Sequence, residues 1–160
     1  MAISLLQAGT PVLALTPRRS PLRALLGRDG VLGVLDGETK PDELTAATGG
    51  LDRFVVLVDD AELLFNGPLS APLEKILASG RDSEHGLIIA GATGDLTRAY
   101  SGFIKEALKS RCGVLVAVDS PGDGDLFGVR LPRNAGPGPL GRGLLVRPGT
   151  IAPVQLALPD

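Results

Sequence analysis

Three apolar runs constrain this chain more than any other feature: "FVVLV" from Phe54 to Val58, "GLIIAGAT" from Gly86 to Thr93, and "GVLVAV" from Gly113 to Val118. A strand with one wet face alternates apolar and polar residues. A continuous run instead requires cover on both faces, which is the condition of a parallel sheet between helices. The stretches between the runs supply those helices. Leu69, Leu73, Ile76 and Leu77 recur at helical spacing behind Ser70, the expected cap, and Tyr100, Phe103, Ile104, Ala107 and Leu108 form a second stripe. Strands alternating with helices predict an α/β fold with a mainly parallel sheet flanked by helices.

The flanking segments fit the same scheme. "MAISLLQAG" reads as the last turns of a helix stopped at Gly9, and "TPVLALTP" as a short strand closed by Pro17. "SPLRALLG" has Ser20 placed to cap, Pro21 at the first helical position and Gly27 past the end, with Leu22, Leu25 and Leu26 as its apolar side. "GVLGVLDG" is a strand, and "KPDELTAATGG" a helix opened by Pro41 with Asp42 and Glu43 in its first turn. From Ser120 to Gly143 glycine and proline dominate, and "SPGDGD" reads as a flexible connection. Then "LLVRPGTIAPVQLAL" predicts a C-terminal β-hairpin turning at Pro148 and Gly149.

Composition narrows the function. The 160 residues, 44% hydrophobic, suit one domain spanning 1–160. A net charge of −2, with four Phe, one Tyr and no Trp, excludes a self-sufficient nucleic-acid module, which needs a basic face or stacking rings. The single cysteine excludes an internal disulfide framework and points to a reducing compartment. No apolar run approaches a membrane span and no signal peptide opens the chain, so no membrane contact is expected of it.

Ligands of parallel α/β sheets bind beyond the carboxyl ends of the strands, where "FVVLVDD" places Asp59 and Asp60. A carboxylate there stays wet, caps a helix or meets a cation. The functional reading is a Walker B strand, with Asp59 holding the water shell of a Mg²⁺ bound to nucleotide phosphates and Asp60 polarising the attacking water. The competing reading is a helix cap or a chance pattern. The phosphate loop G-x-x-x-x-G-K-S/T is absent from the sequence; neither "GRDGVLG" nor "GDGDLFG" carries the Lys-Ser/Thr ending. In this fold class that loop precedes a helix, so the expectation is that it lies upstream of Met1.

Taken together, "FVVLVDDAELL", "GRDSEHGLIIAGAT", "FIKEALKSRCGVLVAV" and "GDLFGVRLPRNAGPGPLGRGLLV" resemble the later part of an FtsK/SpoIIIE-type ATPase domain. The likeness is closest to the actinobacterial branch that includes the EccC ATPases of type VII secretion, and covers the chain from Leu5 onward. It implies a RecA-like P-loop NTPase core lacking its P-loop. It also implies a parent protein that uses ATP and Mg²⁺ to move DNA or secreted protein, as a homo-hexamer or beside neighbouring ATPase domains. Such parents are cytoplasmic and commonly tethered to the cell membrane.

The resemblance also assigns residues. Asp59 matches the Mg²⁺-side acid, and Asp60 stands where the family usually has the catalytic glutamate. Gly91 and Ala92 stand where active members carry a Thr-Gln pair, leaving Thr93 as the nearest polar substitute for nucleotide contact. Arg111 resembles the basic residue that approaches a neighbouring subunit's phosphate, against the plainer reading of a solvated helix end. These departures imply a module that does not hydrolyse ATP by itself, or a degenerate interaction module that binds a protein substrate or a neighbouring ATPase domain.

The remaining polar residues receive plainer readings. Arg18 and Arg19 read as solvated loop residues, with phosphate or DNA contact as the alternative. His85 lacks partners at metal-ligand spacing and reads as a surface histidine, and Cys112 as a buried, inert thiol.

Overall fold

Strand β1 (Val12–Leu15) is buried at every residue, and the first part of the molecule is built around it. In the computed structural model, which describes residues 1–80 and 82–157, the chain divides into two compact units, Met1–Ala107 and Leu108–Asp160.

In the first unit β1 lies between β2 (Val31–Leu35) and β3 (Arg53–Val58), and β4 (Glu84–Ile89) pairs with the far side of β3. All these pairings are parallel, giving the order β2-β1-β3-β4. The continuous apolar run of β3 is explained by its neighbours: Phe54, Val56, Leu57 and Val58 are all buried. Val12, Leu13 and Leu15 are fully buried, each side chain contributing roughly 1.5–3 kcal/mol of apolar burial. Helices α1 (Ala2–Gln7), α2 (Pro41–Thr48) and α3 (Ser70–Ser79) pack against β1, β2 and β4 respectively. Short helices α4 (Thr93–Thr97) and α5 (Gly102–Leu108) follow β4.

Several local expectations are corrected. The short helix expected after Ser20 is present as a 3-10 helix over Pro21–Leu25, but of its expected apolar side Leu25 is buried while Leu26 is 70% exposed. Ser70 begins α3 without capping it; Leu69 holds the cap position and makes no side-chain cap bond. Strand β4 stops at Ile89, because Ala92 and Thr93 open α4, a helix too short to leave a periodic signal. Tyr100 leaves the α5 stripe and is 80% exposed, stacked edge-on against Phe65, while Phe103 and Ile104 are fully buried.

The second unit is antiparallel. Strand β5 (Gly113–Val116) pairs with β6 (Arg142–Arg147), which pairs with β7 (Thr150–Gln155). The apolar run expected through Val118 breaks because Ala117 turns left-handed, at φ 51. The β6–β7 hairpin turns at Pro148 and Gly149, as expected, with Gly149 at φ 76. "SPGDGD" is not a loose connection but the start of a 3-10 helix over Pro121–Phe127. The Asp123 carboxylate accepts from the backbone N–H groups of Asp119 at 2.9 Å and Ser120 at 3.2 Å. That helix carries Phe127 into a core with Leu115, Val118, Leu131 and Val146.

Candidate functional site

The chain leaves β1 toward β2 on one side and leaves β3 toward β4 on the other. The carboxyl ends of β1 and β3 therefore flank the topological switch point of the sheet, the position at which sheets of this class bind ligands. Asp59 follows β3 directly and is anchored there by its own N–H, which donates to Leu15 O at 3.0 Å. Both of its carboxylate oxygens are engaged. Oδ2 accepts a 2.6 Å hydrogen bond from the Ser20 hydroxyl, and Oδ1 accepts from the Asp60 N–H at 3.2 Å.

Ser20 belongs to the loop that leaves β1. Its Oγ also accepts from Leu22 N at 3.1 Å, so it caps the 3-10 helix as the sequence predicted. Arg23 ties the loop down from the other end, donating through Nε to Arg18 O and through its terminal nitrogen to Thr16 O, both at 3.3 Å. The same loop presents Arg18 and Arg19 to solvent. Neither has a side-chain hydrogen bond or ion pair among the described residues.

Asp60 turns the chain. It is half-buried and left-handed at φ 48 and ψ 49, a conformation an aspartate tolerates better than most residues. The N–H of Ala61 then donates to Ala90 O at 2.9 Å, stitching this turn to the end of β4. Just beyond lies a carboxylate that sequence reasoning missed, Glu62, whose Oε2 is buried without a hydrogen-bond partner. It fits because residue 91 is glycine: a Cβ at Gly91 would overlap Glu62 Oε2. The available signal was the glycine at 91, where the resemblance expected a larger polar residue.

The structure thus gathers Asp59, Asp60 and Glu62 at the carboxyl rim of the sheet. Thr93 stands nearby as the first residue of α4, where its carbonyl accepts from Thr97 Oγ1 at 2.7 Å. Arg111 belongs to the second unit, exposed and left-handed at φ 47. Among the described residues no three His, Cys, Asp or Glu side chains converge as a metal-binding group.

Mg²⁺ asks for less than such a cluster, since it binds through one or two protein oxygens with phosphates and water completing its shell. The Ser20 hydroxyl against the Asp59 carboxylate is a donor set of that kind. The metal side of the site therefore fits Mg²⁺, with Ser20 and Asp59 as the residues that would hold it. ATP fits less well, because the sequence contains no glycine-rich loop whose amides would cradle the phosphates.

Two other readings are revised. His85 is not a free surface histidine: its ring stacks on Phe54 with centroids 4.1 Å apart, and Nε2 lies 3.0 Å from Leu51 O. Cys112 is exposed and not buried, because β5 begins one residue later. Among the described residues no helix is long and apolar enough to cross a membrane.

No family model matches the chain, and no curated protein matches it in sequence. Solved structures do. The cytoplasmic domain of EssC is similar with a TM-score of 0.73 and 16% identity, over 97% of this chain and 35% of that one. EssC ATPases 2 and 3 from Geobacillus thermodenitrificans give a TM-score of 0.70 and 18% identity, over 97% of this chain and 33% of that one. The chain spans about a third of the length of either structure. The parallel sheet with its flanking helices and the antiparallel hairpin sheet are thus those of the EssC ATPase region, the α/β fold that the FtsK/SpoIIIE resemblance implied.

Proposed function

We propose that this chain is an ATPase-type module of an FtsK/SpoIIIE-like translocase, working in the cytoplasm beside neighbouring ATPase domains. The parent protein couples binding of ATP and Mg²⁺ to movement of a polymer. Secreted protein is favoured over DNA, because the chain has no basic excess. The observation that carries the reading is the position of Asp59 and Asp60, at the carboxyl end of a buried parallel strand in that fold. Hexamer formation and tethering of the parent to a membrane belong to the same reading.

A second reading is favoured by a specific observation. Both Asp59 oxygens are already hydrogen-bonded, and Gly91 hosts the Glu62 carboxylate where the resemblance expected a polar side chain. That arrangement suits an interaction module without turnover of its own. Calorimetric titration with Mg-ATP and a phosphate-release assay on the 160-residue chain test this. Neither micromolar binding nor turnover is expected. Phosphate release that vanishes in Asp59→Asn would assign hydrolysis to this chain and sink the non-hydrolysing reading.

A further inference from the structure

We propose that the cleft between the loop 132–139 and the start of β6 binds a small apolar molecule that carries one carboxylate. The cleft has a volume of about 330 Å³ and lies wholly within the second unit. It shares no residue with the acids that close β3, and it needs no nucleotide. Sites for small molecules run from roughly 300 to 1,000 Å³, so this one suits a ligand at the small end of that range.

The inner wall is apolar and fixed. Val118 and Gly143 are buried, and Ala135 and Leu144 pack on the core of Leu115, Phe127 and Val146, so the wall is a face of that core. Pro132, Pro137, Pro139 and Pro153 complete it. Their rings lock φ, which holds the cleft in shape before a ligand arrives.

The rim carries the charge. Arg142, at the start of β6, donates through Nε to Gln155 Oε1 at 3.4 Å, and the Gln155 amide is itself fixed by donating to Leu140 O at 2.9 Å. Gly138 presses on the arginine stem, where a Cβ would fall 2.9 Å from Arg142 Cγ. The guanidinium is thus oriented, yet its two terminal nitrogens have no partner among the described residues. The backbone N–H groups of Gly136 and Gly138, on the same lining, also donate to no protein group among the described residues. No acid lines the cleft, in a protein whose net charge is −2.

A single guanidinium fork matches a single carboxylate through two parallel hydrogen bonds. Phosphate brings more charge than one arginine offsets and gains nothing from the apolar wall, whereas a neutral hydrocarbon leaves the fork unused. The complementary ligand therefore has a carboxylate at one end and a branched hydrocarbon at the other. A free acid of that kind fits whole, while a peptide would leave most of its length outside.

Isocaproate is the probe, titrated into the isotope-labelled 160-residue chain and followed by amide NMR. Saturable shifts should centre on Gly136, Gly138 and Gly143, with a dissociation constant of about a millimolar. Isocaproamide, which keeps the shape without the charge, and acetate, which keeps the charge without the hydrocarbon, should each bind about tenfold more weakly or worse. Arg142→Gln should lose about tenfold, and Arg142→Lys, which keeps the charge without the fork, several-fold. Arg133→Gln removes a neighbouring charge from outside the lining and should leave affinity unchanged. The amide spectrum of each variant away from the cleft checks that it folds. The proposal is overturned by absence of saturable shifts, by equal affinity for acid and amide, or by equal losses in Arg142→Gln and Arg133→Gln. It is overturned as well if an acetylated tripeptide ending in leucine binds and isocaproate does not, which would assign the cleft to chain termini.

Discussion

Ser20 and Asp59, 39 positions apart in sequence, are joined by a 2.6 Å hydrogen bond that ties the loop after β1 to the end of β3. Ser20 serves two structures with one hydroxyl, since it also caps the following 3-10 helix. Ser20→Ala removes both bonds and should destabilise the first unit by about 2 kcal/mol, combining a lost cap with a lost charge-assisted bond. Urea unfolding followed by far-UV circular dichroism measures it. In a double-mutant cycle with Asp59→Asn, a coupling energy below about 0.5 kcal/mol would show that the pair does not act as a clasp.

Glu62 and Gly91 compete for one volume. Gly91→Ala should destabilise by about 1–3 kcal/mol through overpacking against the Glu62 carboxylate. With Glu62→Ala in the same chain the cost should shrink, since the obstructing group is gone. Strictly additive costs in the unfolding curves would refute the steric account.

Ala117 follows β5 directly in a left-handed conformation, at φ 51, that a Cβ makes unfavourable. Ala117→Gly should stabilise the second unit by about 1 kcal/mol, the strain relieved exceeding the entropy that glycine adds to the unfolded chain. A lowered urea midpoint for this variant would show that the turn is not strained.

Gly113 faces the ring of Phe127, and a Cβ there would overlap the ring carbons. Gly113→Ala should therefore cost about 1–3 kcal/mol of stability, while adding Phe127→Leu should recover part of it by opening room in the core. If Phe127→Leu instead deepens the loss, the two residues are not in conflict.

The α/β class, the buried central strands, the capping role of Ser20 and the turn at Pro148 and Gly149 were legible in the sequence. Each follows from signals contained within a few residues: an apolar run without alternation, a hydroxyl before Pro21, a Pro-Gly pair between strands. Asp59 and Asp60 were legible as well, because a carboxylate closing an apolar strand is a local pattern. What stayed hidden was every relationship that depends on strand order. Pairing β5 into a separate antiparallel sheet is decided by the distant partner β6, since the run "GVLV" suits either kind of sheet equally. Cys112 was misjudged for the same reason: whether a residue at a strand's edge is covered depends on what packs there, not on its own apolar character.

The candidate site divides along the same line. Sequence alone determined that two acids end a buried strand and that no glycine-rich phosphate loop accompanies them, because both are statements about consecutive residues. Only the tertiary structure decided that β1 and β3 lie side by side with their loops departing in opposite directions. That adjacency brings the Ser20 hydroxyl onto Asp59 and sets the two free arginines at the same rim. In the same way, the packing of the turn after β3 against the end of β4 lets Glu62 fill the space over Gly91. The physical reason is that hydrogen bonds and excluded volume act over a few ångströms of space, and the fold alone brings those atoms within that range.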